Sequence, residues 1–593
     1  YQPIYERECG KTPFGYKAWE RLLTMSNLRN DAKHSRELTE ANEKHSCAVT
    51  EEDKKSELAL RKQVMGKVYY QEAYAAFEKA EKMPDGPARV KQWREAAALY
   101  KVALEKEPGR DEAPEAAMNG ALAYKQVGDY DQAIEMYGLF IKAYGNDETL
   151  DKLKKENTPS PKCAIEGRTS CTKYEERVSF LKRADDTLAA SYVLFFNYRT
   201  AAETYDTISR NQRFTEDDRR KAARNAVVLY ANMGDRDKMT SSRATFLALK
   251  PSAEQKADID YLVASADLKA WDEKGTDDGV NRQARIKAIG TMESYFNANK
   301  NTPQASAYTV QAAYNVAKMM RAGRDGKAND WCKNTIQAFD KFKNGAATKN
   351  GHNEALGSVQ ADMAAECAFH TVDDKMKADF DYDTGHHRYT GVIDQVKKKF
   401  DDDVKKANDT YFKQLQDIIS RYESRPWSVA ARARQGSLYD SCRTGLYNAR
   451  PPGLRLYTDK EEKLLKLAET SDREDLQEQA DAIRQKRRED WRSARERSLN
   501  DADAAMVKFY AEAVVWSRAW KVRNAAVDTA IQRLAFFTDI LGDAKIRQLT
   551  QGIMDPETKQ PFVYSDNFFL RSRPGAPPPP ENNDLPHPLP VIP

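Results

Sequence analysis

Apolar residues recur at spacings of three and four from about residue 50 to residue 552, and strand-like alternation is nearly absent. A chain patterned this way buries one stripe of each helix, so the expected fold class is all-α. One arrangement within the pattern repeats. The stretch "YKQVGDYDQAIEMYGLFIKAY" (residues 124–144) sets Gly128, Tyr130, Ala133, Tyr137 and Phe140 in order. Upstream, "QWREAAALYKVALEKEP" places Trp93, Ala96, Tyr100, Ala103 and Pro108 at matching steps. Downstream, Ala189, Tyr192, Tyr198, Ala201, Tyr205 and Ile208 follow, and then Tyr230, Gly234, Met239, Phe246 and Pro251. Two of these copies depart from the pattern: Phe196 stands where the others turn on glycine, and Arg243 replaces an aromatic.

The repeat has a physical reason. A small residue on a first helix (Ala121, Ala189, Val227) faces another on its partner (Ala96, Ala133, Ala201), so the helices approach closely. Aromatics at 124, 137 and 140 fill the gap to the next pair. Gly128 lets the first helix end in the left-handed conformation, and Pro108 and Pro251 stop second helices. Tyr100 and Tyr137 are 37 residues apart; Tyr137 and Tyr205 are 68 apart, which leaves room for an insertion at 145–175. This periodicity resembles the tetratricopeptide repeat, a helix hairpin of about 34 residues. The resemblance implies an α-solenoid of stacked hairpins.

The expected organisation is an N-terminal arm and first helix at 1–60, hairpins at 61–255, looser hairpins at 256–393, a long-helix region at 394–555 and an extended tail at 556–593. In the third region "QARIKAIGTMESYFNANKNTP", "SAYTVQAAYNVAKMM", "ANDWCKNTIQAFDKFK" and "NEALGSVQADMAAECAFHTV" read as successive helices. The end, "RPGAPPPPENNDLPHPLPVIP", holds nine of the 24 prolines, which excludes helix there and favours a polyproline-type strand.

Charge and cysteine usage bound the function. Of 593 residues, 95 are basic and 91 acidic, giving a net charge of +4 and no overall steering toward nucleic acid or anionic lipid. No run of 18 apolar residues occurs, so no direct membrane span is expected. Numbering begins at Tyr1, which suggests a processed product or a fragment. Among seven cysteines, Cys163 and Cys171 flank a loop-like stretch, Cys332 and Cys367 lie one hairpin period apart, and Cys9 and Cys47 could tie down the N-terminal arm. These are candidate disulfides, leaving Cys442 unpaired, and they lean toward an oxidising compartment; free thiols in a cytoplasmic protein are the alternative. No C-x-x-C pair supports zinc.

From Arg425 onward, "RPWSVAARARQGSLYDSCRTGLYNARPPGL", long charged helices and "PFVYSDNFFLRSRPG" resemble the C-terminal part of large periplasmic tetratricopeptide proteins of myxobacteria, some of which belong to the envelope machinery for adventurous gliding motility. That resemblance implies an exported, periplasmic scaffold that contacts other proteins of an envelope assembly.

Enzyme motifs are missing: there is no H-E-x-x-H, no G-x-x-x-x-G-K-[ST], no G-x-S-x-G and no G-x-G-x-x-G. No catalytic residue, cofactor or metal is therefore expected. The alternative is a helical enzyme or regulator with accessory repeats and a metal or catalytic site in "DFDYDTGHHRYTG", at Asp379, Asp381, Asp383, His386 and His387. A polar loop explains that stretch more simply, and the Asp401, Asp402, Asp403 triplet reads as a solvated helix face. The basic run at 484–498 interleaves acids with its arginines, so an exposed helix face is expected there and not nucleic acid. In tetratricopeptide families one face of the first helix lines a concave groove. Carried over position by position, that face is Glu115, Met118, Leu122, Lys125 and Gln126; then Arg183, Asp186, Ala190, Val193 and Leu194; then Lys221, Arg224, Val228, Ala231 and Asn232. The resemblance implies a peptide or extended segment as occupant.

Overall fold

The computed structural model describes residues 1–563 apart from 162 and 166. Most of the Pro-rich tail lies outside the described residues. Within them the chain is an all-α helical-repeat fold; the strands are two-residue pairings, Thr348–Lys349 with His352–Asn353 and Gly391–Val392 with Leu454–Arg455. The described residues divide into two compact units, 1–252 and 253–563.

In the first unit, helices Glu51–Lys82, Pro87–Lys106, Ala113–Gln126, Tyr130–Ala143, Lys173–Leu194, Tyr198–Arg210, Glu216–Met233 and Arg236–Ala248 pack mainly against their sequence neighbours. The small residues sit at the crossings: Ala96, Ala121, Ala133, Ala189, Ala201 and Val227 are all buried. Gly120 shows how close the approach is, since a Cβ there would stand 2.6 Å from the Met136 Cε and 3.1 Å from the Tyr100 Cβ. Tyr137 and Phe140 are buried as seam fillers, and Tyr124 is half-buried.

One turn joins the pairs. Gly128 lies at φ +76°, and the Asp129 N–H donates to the Tyr124 carbonyl. Asp129 then caps the next helix by accepting from the Gln132 N–H. The same geometry recurs with Gly234 and Asp235, and with Phe196 and Asn197. A left-handed residue followed by Asp or Asn therefore both ends one helix and starts the next.

The N-terminal region is more ordered than an arm. Helices Gln2–Glu8, Pro13–Leu28 and Ala32–Lys44 gather Tyr16, Trp19, Leu23 and Leu38 into a core with Val64 and Val68. The insertion carries a helix, Asp147–Glu156, and ends in a capping box. In that box the Thr172 side chain accepts from the Glu175 N–H, and the Glu175 carboxylate accepts from the Thr172 N–H.

In the second unit the helices read from the sequence appear as Gly279–Asn299, Ser306–Ala322, Ala328–Gly345 and Val359–Asp379. The long-helix region resolves into Arg425–Tyr447, Asp459–Glu469, the 47-residue Glu474–Trp520, and Ala525–Leu541. Stretches 256–393 and 394–555 share one hydrophobic core running from Tyr261 to Ile553. At its centre lies helix Arg425–Tyr447, with 14 of its 23 residues buried. It packs against Val359–Asp379, Ile393–Lys406, Lys413–Tyr422, Glu474–Trp520 and Ala525–Leu541.

Candidate functional site

The carried-over groove positions divide by burial. Glu115, Lys125, Gln126, Arg183, Leu194, Lys221 and Asn232 are exposed, and Leu122, Asp186, Ala190 and Val193 are half-buried. Met118, Arg224 and Val228 are 2, 8 and 0 % exposed, and Ala231 is buried with them. These four cannot line an open surface. The reason is local: helix Glu216–Met233 buries every residue from Ala222 to Ala231, because neighbours cover it on both sides. Two of the charged positions are paired with neighbouring side chains. Lys221 Nζ stands 2.9 Å from an Asp217 carboxylate oxygen, and Lys182 Nζ bridges Asp186 (3.0 Å) and Asp218 (3.3 Å). Burial, with the Asp186 charge beside it, pushes the Asp185 carboxyl up to about 7.

A second surface stands beside these positions. Between helices Lys173–Leu194 and Tyr198–Arg210 the chain exposes four large apolar side chains within five residues: Leu194 (61 %), Phe195, Phe196 (78 %) and Tyr198. Phe195 packs edge-on against Tyr130 at 5.5 Å between centroids, and Phe196 against Tyr198 at 6.1 Å. Phe196 takes the left-handed backbone, φ +58°, at the position where the equivalent turns use glycine. A non-glycine residue is disfavoured there by about 1 kcal/mol or more. The signal was visible in the sequence as the departure at Phe196.

The acidic and histidine-bearing stretch does not converge. Tyr411 donates to Asp379, Arg434 donates to Asp381, and His386 Nε2 lies 3.2 Å from the Ala378 carbonyl. His387 turns inward and is 3 % exposed. Its Nδ1 is 2.7 Å from Asp403 Oδ2, and the Tyr389 hydroxyl donates to the same oxygen at 3.0 Å. The Cys442 sulfur stands 4.0 Å from that imidazole nitrogen. Asp403 is thus part of a buried cluster and not of a solvated helix face. Burial raises its carboxyl, but the hydrogen bond and charge of His387 outweigh burial and hold it below the ordinary range. Burial drives the Cys442 thiol well above its ordinary value, with the Asp403 charge adding to it, so the sulfur stays protonated and is a poor nucleophile. The cluster ties His387 and Tyr389 to helix Ile393–Lys406 through Asp403, against the central helix at Cys442. Gly445 makes the contact possible, since a Cβ there would stand 2.2 Å from the His387 carbonyl oxygen. Among the described residues no group of three or more His, Cys, Asp or Glu side chains is arranged to hold a metal ion.

The basic run lies on helix Glu474–Trp520 and is tied down by acids: Arg484 to Glu469 and Asp481, Arg487 to Glu461. No helix among the described residues is long and apolar enough to cross a membrane.

The cysteines pair as the spacing suggested. Cys9 and Cys47, Cys163 and Cys171, and Cys332 and Cys367 have Cα–Cα separations of 4.3, 5.4 and 4.8 Å, within or close to the range a disulfide bridges. Cys332 and Cys367 join successive helices, and Cys442 is unpaired and buried.

No family model matches the chain, and no curated protein matches it. Among solved structures the chain is similar to a "circular tandem repeat protein with novel repeat topology and enhanced subunit contact surfaces", at 10 % identity over 93 % of this chain and 95 % of that one. The TM-score is 0.13, so the superposition is too loose to carry an argument, and the description of the fold rests on the helices themselves.

Proposed function

We propose that this chain is a non-enzymatic scaffold that binds other proteins through the surfaces of its helix hairpins. Its place is an oxidising, exported compartment, the periplasm, as one component of an envelope assembly. Three cysteine pairs at bonding distance support the compartment. The C-terminal resemblance to periplasmic tetratricopeptide proteins of gliding machinery supports the kind of assembly. The observation that carries the binding role is the aromatic turn at 194–198. It places Phe196 at a backbone conformation that glycine would adopt without strain, and leaves its ring in water. A purely structural turn gains nothing from that choice.

The test is Phe195→Ala with Phe196→Gly in the full chain. Glycine suits the backbone, so the fold is retained and a change in binding reports on the surface alone. Affinity purification from the native organism, with quantitative mass spectrometry, should show at least one partner depleted about tenfold or more relative to wild type. An unchanged partner set removes this turn from the proposed role. Charge reversal at Glu115, Lys125 and Arg183, which are exposed, probes the groove positions, whereas Arg224 is buried.

A further inference from the structure

The N-terminal 48 residues form a cap on helix Glu51–Lys82, and several observations describe how that cap is held. Its core is small: Tyr16, Trp19, Leu23 and Leu38, with Cys47, close over Val64 and Val68. The Trp19 indole N–H donates to the Leu38 carbonyl at 3.1 Å and ties its two longer helices together. Across the seam run a few polar contacts: Arg36 to Glu72, and Lys67 and Gln71 to the Asn30 side chain.

Against these stand two buried polar groups. The Asn42 amide is fully buried, and neither its nitrogen nor its oxygen has a hydrogen-bond partner. The Glu57 carboxylate is 4 % exposed, with one oxygen also unpartnered. Burying such groups unanswered opposes closure. Short helices such as Ala32–Lys44 are also marginal without tertiary support. The covalent link between Cys9 and Cys47 spans 38 residues, the widest of the three pairings, and encloses nearly the whole cap. A cross-link of that span removes much of the entropy that opening would gain.

We propose that Cys9–Cys47 is a redox latch on this cap. In the oxidised chain, residues 2–48 stay closed over Val64 and Val68. A dithiol reductant transfers two electrons and two protons to the bond. Cys9 and Cys47 become thiols, the reductant becomes a disulfide, and the cap opens from helix Glu51–Lys82. The hairpins from Pro87 onward keep their own buried seams and stay folded.

Hydrogen exchange read by mass spectrometry on the full chain tests this. In C9S/C47S, under oxidising conditions, peptides covering 13–44 should exchange at least about tenfold faster than in wild type. Peptides covering 87–143 should keep their wild-type rate. C163S/C171S, which removes the shorter pairing in the same unit, should leave 13–44 at the wild-type rate. Wild-type protein treated with a dithiol and then reoxidised guards against a variant that misfolds: protection of 13–44 should fall and return. The latch is overturned if 13–44 stays protected in C9S/C47S. It is equally overturned if 87–143 loosens with the cap, if C163S/C171S opens the cap too, or if reoxidation fails to restore protection.

Discussion

The two units solve the same problem, burying helices, in different ways. In the first, each helix meets chiefly its neighbours in sequence, and the contact surfaces are alanines and glycines. It has ion pairs, such as Lys54 with Glu51 and Lys238 with Glu203, that hold exposed groups. In the second, helix Arg425–Tyr447 is surrounded, and a surrounded helix must bury its polar residues as well. Each then needs a partner. Arg434 bonds Asp373 at 2.6 Å and Asp381 at 2.7 Å, Arg443 bonds Asp503 at 2.8 Å, and Asp440 accepts from Arg533 at 2.7 Å and from the Tyr510 hydroxyl at 3.2 Å. Close approach still requires glycine, at Gly436 against Tyr510 and Gly445 against His387. Helices stacked in order are specified by size. A helix enclosed on all sides is specified by charge pairing as well.

The sharpest way to break that comparison is to remove one arginine. Burial raises the Asp373 carboxyl, but Arg434 and then Lys377 outweigh it and hold it below the ordinary range. Arg434→Met keeps the packing volume and leaves Asp381 without its cation, while Asp373 retains Lys377 at 2.6 Å. The expected loss is about 3 kcal/mol, at the lower end for a broken buried pair because one carboxylate stays compensated. Chemical denaturation followed by exchange in helices Val359–Asp379 and Arg425–Tyr447 reads it. A loss below about 1 kcal/mol would mean that the enclosed helix is specified by shape alone. The counterpart in the first unit is Ala133→Leu. Ala133 is 1 % exposed at a crossing, and a larger side chain should cost about 2 kcal/mol by overpacking. A neutral outcome, read in the same way, would mean that the crossings have slack and that size does not specify them.

This contrast also explains what could be read in advance. The hairpin helices and their turns were legible because they depend on residues three and four apart: Gly128 before Asp129, Ala133 opposite Ala121, and the helix Ser306–Ala322 from its own stripe. The enclosed helix was legible as part of a long-helix region, but its partners were not. Arg434 meets Asp373 and Asp381 at separations of 61 and 53 residues, and no local rule pairs them. Asp403 looked like a solvated charge because its neighbours in sequence are charged; its neighbours in space are His387 and Tyr389. Met118, Arg224 and Val228 were placed on an open groove by position in the repeat, yet helices pack over both sides of that position. The N-terminal cap was missed because its core takes only a few residues from each of several short elements.

The smallest effect tests whether the first unit is indifferent to buried charge. Asp185, on helix Lys173–Leu194, has a carboxyl pushed up to about 7 by burial and by Asp186. In the unfolded chain a carboxyl of this kind titrates near 4. Between about pH 4 and pH 7 the folded chain therefore holds a proton that the unfolded chain has released. Stability is greatest below that window, falls as pH climbs through it, and levels off above about 7. Asp185→Asn removes the titration. Partial solvent access screens the penalty, so the variant should gain about 1 kcal/mol at pH 8 and close to nothing at pH 4. Thermal unfolding at the two pH values measures the difference. Equal shifts at both would trace the effect to side-chain packing or helix propensity. A shift confined to pH 8 would show that the unit built on small residues also buries charge at Asp185 without an answering cation.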